Sequence, residues 1–211
     1  TVSTALLASN ETVTTAVTPS VSIASNDADN SICSGTSVIF TATPTNGGST
    51  PSYQWKVNGT NAGTNSASFT STTLANNDVV SVVMISNNIC QTTNTANSNV
   101  VATNVTSIVT PSVSIEADFN LICQGTSVQF SASSSNLGDS PVYQWKVNGT
   151  NAGLNVPTFA ASNLENGDIV SLSVTPNNTC QTTNLVSSNS VSMQVISNVT
   201  PTVTIVASET S

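Results

Sequence analysis

The chain has 211 residues, with two Lys, no His, ten Asp or Glu and a net charge of -8, and only 6% of its residues are charged. That balance excludes nucleic-acid recognition, which depends on Lys and Arg neutralising phosphates, and it disfavours anchoring to an anionic membrane surface. No apolar run reaches the ~18 residues of a spanning helix, so no membrane insertion is expected, and the richness in Thr, Ser, Asn and Val suits strands with hydroxyl and amide faces.

Residues 1–17 read as the last strand of a preceding repeat. Ser9-Asn10 and the alternation after it match Ser98-Asn99 with residues 100–109 and Ser188-Asn189 with residues 190–199, and a Thr-Pro follows each time. The chain starts without a charged n-region or an apolar h-region, so the expectation is a mature piece or a fragment. The first full repeat is expected at 18–107 and the second at 108–199, with 200–211 as the first strand of a following one.

Within each repeat, Val21 and Ile23 alternate with serines after Pro19, as Val113 and Ile115 do after Pro111, giving strand A. Val38, Phe40 and Ala42 face inward on strand B, matched by Val128, Phe130 and Ala132. Ile39 becomes Gln129 without disturbing that set, which marks the outward face. Residues 44–51 form a Gly-rich loop into the next strand. Residues 53–63 return unchanged as 143–153. At a period of two, Tyr53, Trp55 and Val57 share one face and Gln54, Lys56 and Asn58 the other. Trp55 and Trp145, with Phe40 and Phe130, are therefore the expected core. Asn58-Gly59 then signals a type I′ hairpin, whose two central residues need positive φ. Residues 66–73 carry Phe69, matched by Phe159, and lead to Leu74 and Leu164.

Leu74, with Asp78 four residues on and Val80, Val82 and Met84 alternating after it, is repeated as Leu164, Asp168, Val170, Leu172 and Val174. This resembles the E-to-F corner of immunoglobulin-like domains, with Trp55 and Trp145 in the place of the strand C tryptophan. Phe40, Ala42, Val82 and Met84 replace the usual core cysteines. With Cys33, Cys90 and the Trp strand added, the pattern is similar to the tandem immunoglobulin-like or PKD-like repeats of large Bacteroidota surface proteins, of the kind found in gliding adhesins and type IX secretion cargo. The resemblance implies an all-β chain of immunoglobulin-like β-sandwiches arranged end to end. It further implies a non-catalytic stalk or filament segment of a bacterial cell-surface adhesin, extracellular, whose partners are neighbouring repeats of the same long chain. A carbohydrate-binding module for surface polysaccharide, or a self-assembling fibre or surface-layer subunit built by lateral self-association, is the alternative.

Cys33 and Cys90 are 57 positions apart, as are Cys123 and Cys180, and an even, repeated set outside the cytosol reads as structural disulfides. Two connectivities are open. One pairs the cysteines within each repeat. Under immunoglobulin topology, however, strands B and F run the same way, so Cys33 before B and Cys90 after F lie at opposite ends of a domain, roughly 23 Å apart for a seven-residue strand. A disulfide needs about 6 Å between Cα atoms. The other connectivity joins Cys33 to Cys180 and leaves Cys90 and Cys123 for neighbouring repeats.

Without His there is no Ser-His-Asp or Cys-His arrangement and no zinc cluster, so no catalytic residue, enzyme activity or cofactor is expected. Asp78 and Asp168 read as turn caps. Lys56 and Lys146 lie opposite the tryptophans, which argues against an isopeptide bond. Asp27, Asp29, Glu116 and Asp118 offer hard oxygens as weak calcium candidates, but their spacing differs between the copies and a solvated acidic loop is the preferred reading. The Asn-X-Ser/Thr triplets at Asn10, Asn58, Asn104, Asn148, Asn177 and Asn198 are treated as a consequence of composition.

Overall fold

The computed structural model describes residues 14–206, in which alternation of apolar with hydroxyl and amide residues makes strands from Ser20 to Ile196 and no helix occurs. The chain divides between Ser107 and Ile108 into two units. The first contains β1 (Ser20–Ser25), β2 (Ser31–Cys33), β3 (Val38–Thr45), β4 (Ser52–Val57), β5 (Thr60–Ala62), β6 (Ser68–Ser71), β7 (Val79–Ile85), β8 (Thr95–Asn97), β9 (Val101–Ala102) and β10 (Asn104–Thr106). One sheet has the order β1-β3-β6. The other is β5-β4-β7, with β8 and β9 both paired to β7. β2 pairs parallel with β10.

The second unit repeats this plan. It contains β11 (Ser112–Ala117), β12 (Leu121–Cys123), β13 (Val128–Ser135), β14 (Val142–Val147), β15 (Thr150–Ala152), β16 (Thr158–Ala161), β17 (Ile169–Thr175), β18 (Val186–Ser187), β19 (Val191–Ser192) and β20 (Gln194–Ile196). β12 pairs parallel with β20, as β2 does with β10. In immunoglobulin terms β1, β3 and β6 are strands A, B and E, while β4, β5 and β7 are C, C′ and F, and the broken last strand is G. Each unit is an immunoglobulin-like β-sandwich.

The inward set is the one the alternation predicts. Phe40, Trp55, Val80 and Met84 are 0% exposed, and so are Phe130, Trp145, Val170, Leu172 and Val174. Each tryptophan is buried with its indole donor satisfied: Trp55 Nε1 donates to Ser66 O at 2.8 Å and Trp145 Nε1 to Val156 O at 2.9 Å. Its ring stacks on the phenylalanine of the facing sheet, with centroids 5.7 Å apart for Trp55–Phe69 and 5.6 Å for Trp145–Phe159. Those contacts tie strand C to strand E across the sandwich and add aromatic complementarity to the area buried. The Asn-Gly hairpin also forms as expected, with Asn58 at φ 51° and Gly59 at φ 78°.

The structure departs from the sequence reading in three places. A short strand, β2 or β12, follows strand A and crosses to the last strand. The expectation of a loop from Pro44 is corrected, because β3 runs to Thr45 and Pro44 pairs with Val21. β6 reaches only as far as Thr41, so Pro44 has a neighbour on one side alone, where a missing N–H is tolerated. The last strand is three pieces rather than one, interrupted at Ser98-Asn99 and again at Thr103.

Candidate functional site

Among the described residues, no three His, Cys, Asp or Glu side chains converge, and no helix is long and apolar enough to cross a membrane. The carboxylates are engaged locally. Asp78 Oδ2 accepts from Ala75 N at 2.8 Å and its Oδ1 accepts from Asn58 Nδ2 at 2.7 Å, while Asn58 Oδ1 accepts from Val79 N at 3.0 Å. Asp168 repeats this with Glu165 N and Asn148 at 2.8 and 2.7 Å. Asp78 and Asp168 are therefore turn caps, as the sequence indicates, and each also locks the Asn-Gly hairpin to the start of strand F. Of the candidate calcium ligands, Asp118 Oδ1 accepts from Phe119 N and Gln129 N, and Asp29 Oδ1 accepts from Ser31 N. Glu116 is exposed on β11, and Asp27 Oδ2 is buried without a partner. Partial burial pushes the Tyr53 hydroxyl above its ordinary value of 10.0 and keeps it neutral.

The most specific polar constellation is one that sequence reasoning passed over. Ser98 and Asn99 sit where the last strand breaks, and they reach opposite sheets. Ser98 Oγ accepts from Val82 N at 3.0 Å, and Ser98 N donates to Val82 O at 3.0 Å. Asn99 Oδ1 accepts from Ile23 N at 2.8 Å, and its Nδ2 donates to Ile23 O at 3.0 Å. Ser188 holds Leu172 and Asn189 holds Ile115 in the same way. The signal was present, since the Ser-Asn dipeptide recurs with the repeat. Its role was not, because one amide imitating a strand across two sheets leaves no periodic trace. The related Ser9-Asn10 lies outside the described residues.

Two shallow recesses occupy the same place in both units, between β5 and β6 beside Phe69 and Asp78, and between β15 and β16 beside Phe159 and Asp168. Their walls are short apolar and hydroxyl side chains. Half-buried Phe69 lines the first recess and half-buried Phe159 the second, while both tryptophans are fully buried in the core. Lys56 and Lys146 are half-buried, with Ser81 and Asn61 beside Lys56 in the register.

The cysteines divide unequally. Cys33 and Cys180 are disulfide-bonded, whereas Cys90 and Cys123 are thiols. The pairing within each repeat is therefore not the one formed. The sequence positions are equivalent in backbone detail. Cys33 ends β2 and its O accepts from Thr36 N; Cys123 ends β12 and its O accepts from Thr126 N. Cys90 O accepts from Val17 N at 3.0 Å, and Cys180 O accepts from Val109 N at 3.0 Å.

No protein-family model and no curated protein sequence matches the chain. Among solved structures it is similar to the three N-terminal domains of the highly immunogenic outer capsid protein (Hoc) of bacteriophage RB49, at 14% identity and a TM-score of 0.37, over 84% of this chain and 59% of that one. Murine CEACAM1b is similar at 13% identity and a TM-score of 0.38, over 83% of this chain and 100% of that one. The fibronectin(III)-like modules of Clostridium thermocellum CbhA are similar at 17% identity and 0.35, over 83% and 94%. The chain thus spans less than two thirds of the Hoc fragment.

Proposed function

We propose that this chain is a non-catalytic segment of a tandem immunoglobulin-like array, serving as an extracellular stalk or filament of a bacterial surface adhesin. The observation that carries the reading is how each unit captures the start of its own chain. Val17 N donates to Cys90 O and Thr92 N donates to Val17 O, and Val109 is held by Cys180 and Thr182 in the same way, at 2.9 to 3.0 Å throughout. Pro19 and Pro111 are buried just beyond. β10 ends at Thr106 and Val109 is already fixed, so only Ser107 and Ile108 are left to connect the units. The connector is two residues long, and the Thr-Pro after Val109 and after Val17, where proline fixes φ and restricts its predecessor, sets how each chain segment enters strand A of its own unit. A chain that repeats this junction is suited to transmitting length and tension.

Disulfide-bonded Cys33 and Cys180 support a compartment outside the cytosol. The surface is rich in amides and hydroxyls and poor in charge, and every described carboxylate with a capping geometry is used in the fold, which supports the absence of catalysis. The resemblance to Bacteroidota surface repeats supports the bacterial cell surface as the location.

Small-angle scattering of one, two and three tandem copies of the chain tests the proposal. The maximum dimension should grow almost linearly with copy number. A dimension that saturates would overturn the stalk, and specific retention on a polysaccharide by a single copy would favour the carbohydrate-binding module.

A further inference from the structure

We propose that each unit is a shear lock, in which three links join the first stretch of its chain to the last and bear tension together when the unit is pulled by its two ends. The inference rests on the array reading above for its purpose, whereas the lock itself belongs to a single unit. In the first unit Val17 bridges Gln91 in parallel, with Val17 N donating to Cys90 O at 3.0 Å and Thr92 N donating to Val17 O at 2.9 Å. Thr18 Oγ1 lies 2.9 Å from Thr92 Oγ1 at the same place. The second link is the amide of Asn99, bonded to both backbone groups of Ile23. The third is the parallel ladder of β2 with β10, closed at its ends by Asn104 N donating to Asn30 O at 2.8 Å and Ser34 N donating to Thr106 O at 2.9 Å. The offset along the chain hardly changes between links, at 74 positions for Thr18 and Thr92 and 76 for Ile23 and Asn99. Residues 17–33 and 91–106 therefore run side by side in one direction. The second unit repeats all three links, with Val109 on Gln181, Asn189 on Ile115 and β12 on β20.

Direction decides how such links fail. Tension on a tethered chain draws Val17 back and Thr106 onward. Two stretches that run the same way then slide past each other, so every link between them is strained at once, whereas stretches running opposite ways would part from one end, bond by bond. A load shared by several hydrogen bonds raises the barrier to unfolding more than the same bonds broken in turn, and resistance to force is set by that barrier rather than by equilibrium stability. Asn99 fills the middle of the lock. The last strand is broken there, where β8 gives way to β9, and no backbone ladder joins it to β1. One planar amide with an acceptor and a donor supplies two bonds in place of that ladder. Ile23 is buried, so water has little access to them.

Single-molecule pulling of the full chain by its two ends, at constant force and in a reducing buffer that leaves the backbone alone to carry the load, tests the lock. Two unfolding steps are expected, one for each unit. Asn99→Ala should speed one step about tenfold, as the loss of buried hydrogen bonds at the barrier implies, and leave the other unchanged. Asn189→Ala should do the same for the other step, and the double variant should speed both. Val17→Pro removes the N–H held by Cys90 O at an isolated bridge, leaves the core intact and should also speed the first unit's step. Asn58→Ala, which removes a hairpin bond to Asp78 outside both stretches, is the control. It should lower the denaturant midpoint of the first unit yet change its step under force by less than about twofold, because bonds still intact at the barrier hardly alter the unfolding rate. Equal acceleration by Asn58→Ala and Asn99→Ala, or none by either Asn99→Ala or Val17→Pro, would overturn the lock. The array reading would survive that outcome, since it stands on the growth of length with copy number.

Discussion

Asn99 holds both backbone groups of Ile23, accepting from its N–H at 2.8 Å and donating to its carbonyl at 3.0 Å, although Ile23 lies on β1 in one sheet and Asn99 in the break between β8 and β9 at the other. Ser98 does the same for Val82 in the sheet of Asn99's own strand. A single break in the last strand therefore closes the seam between the two layers of the sandwich, and Ser188-Asn189 closes it in the second unit.

Replacing Asn99 by Ala leaves the N–H and carbonyl of Ile23 without their partners. Ile23 is only 6% exposed, so the first unit should lose about 1 to 2 kcal/mol, within the range for unsatisfied buried backbone groups. Asn97→Ala, which removes an exposed amide on β8, is the control and should change little. Chemical denaturation followed by Trp55 fluorescence in a Trp145→Phe background reads the first unit alone. Equal costs for the two amides would refute the seam.

The two cores exchange volume between a pair of positions. Gly47 and Met84 in the first unit correspond to Leu137 and Val174 in the second, and all the apolar side chains concerned are buried. A Cβ built on Gly47 would stand 3.1 Å from Met84 Sδ, so Gly47→Leu alone should overpack the core and cost about 1 to 3 kcal/mol. Adding Met84→Val should recover most of that loss, because Leu137 already fits beside Val174. A double-mutant cycle with coupling below about 0.5 kcal/mol would show that the two positions are independent.

Asn58→Asp would set a carboxylate where Nδ2 now donates to Asp78 Oδ1 at 2.7 Å. Two anions in that geometry should destabilise the first unit by about 1 to 3 kcal/mol at neutral pH. Repulsion raises the folded-state affinity of the pair for a proton above that of the unfolded chain. The deficit should therefore be full above the raised folded-state range, shrink as pH falls through it and vanish below the unfolded carboxylate range of about 4. Adding Asp78→Asn restores a donor opposite the new carboxylate and should rescue stability. Denaturation midpoints at pH 7 and pH 4 check both points.

Trp55→Ala should destabilise its unit by about 3 to 5 kcal/mol, since it empties a fully buried site and removes the contact with Phe69. Lys56→Ala, one residue away on the outer face, should cost less than about 1 kcal/mol. If calorimetry found the lysine change the costlier, the face assignment of the strand would be wrong.

The all-β class, the repeat, the inward faces and the Asn-Gly turn were legible because each is local. Alternation places Tyr53, Trp55 and Val57 on one face whatever they pack against, and Asn-Gly satisfies positive φ before any other strand arrives. The turn-capping aspartates were legible for the same reason, since Asp78 reaches Ala75 within three residues. The crossing of β2 to β10, the breaks in the last strand and the double hold of Asn99 on Ile23 depend on groups more than seventy positions apart. Nothing in the composition of either segment encodes that distance. The division of four similar cysteines into two oxidised and two free was likewise decided only in the folded chain, because a disulfide selects sulfurs that topology brings together, and equal spacing along a sequence says nothing about which ends meet.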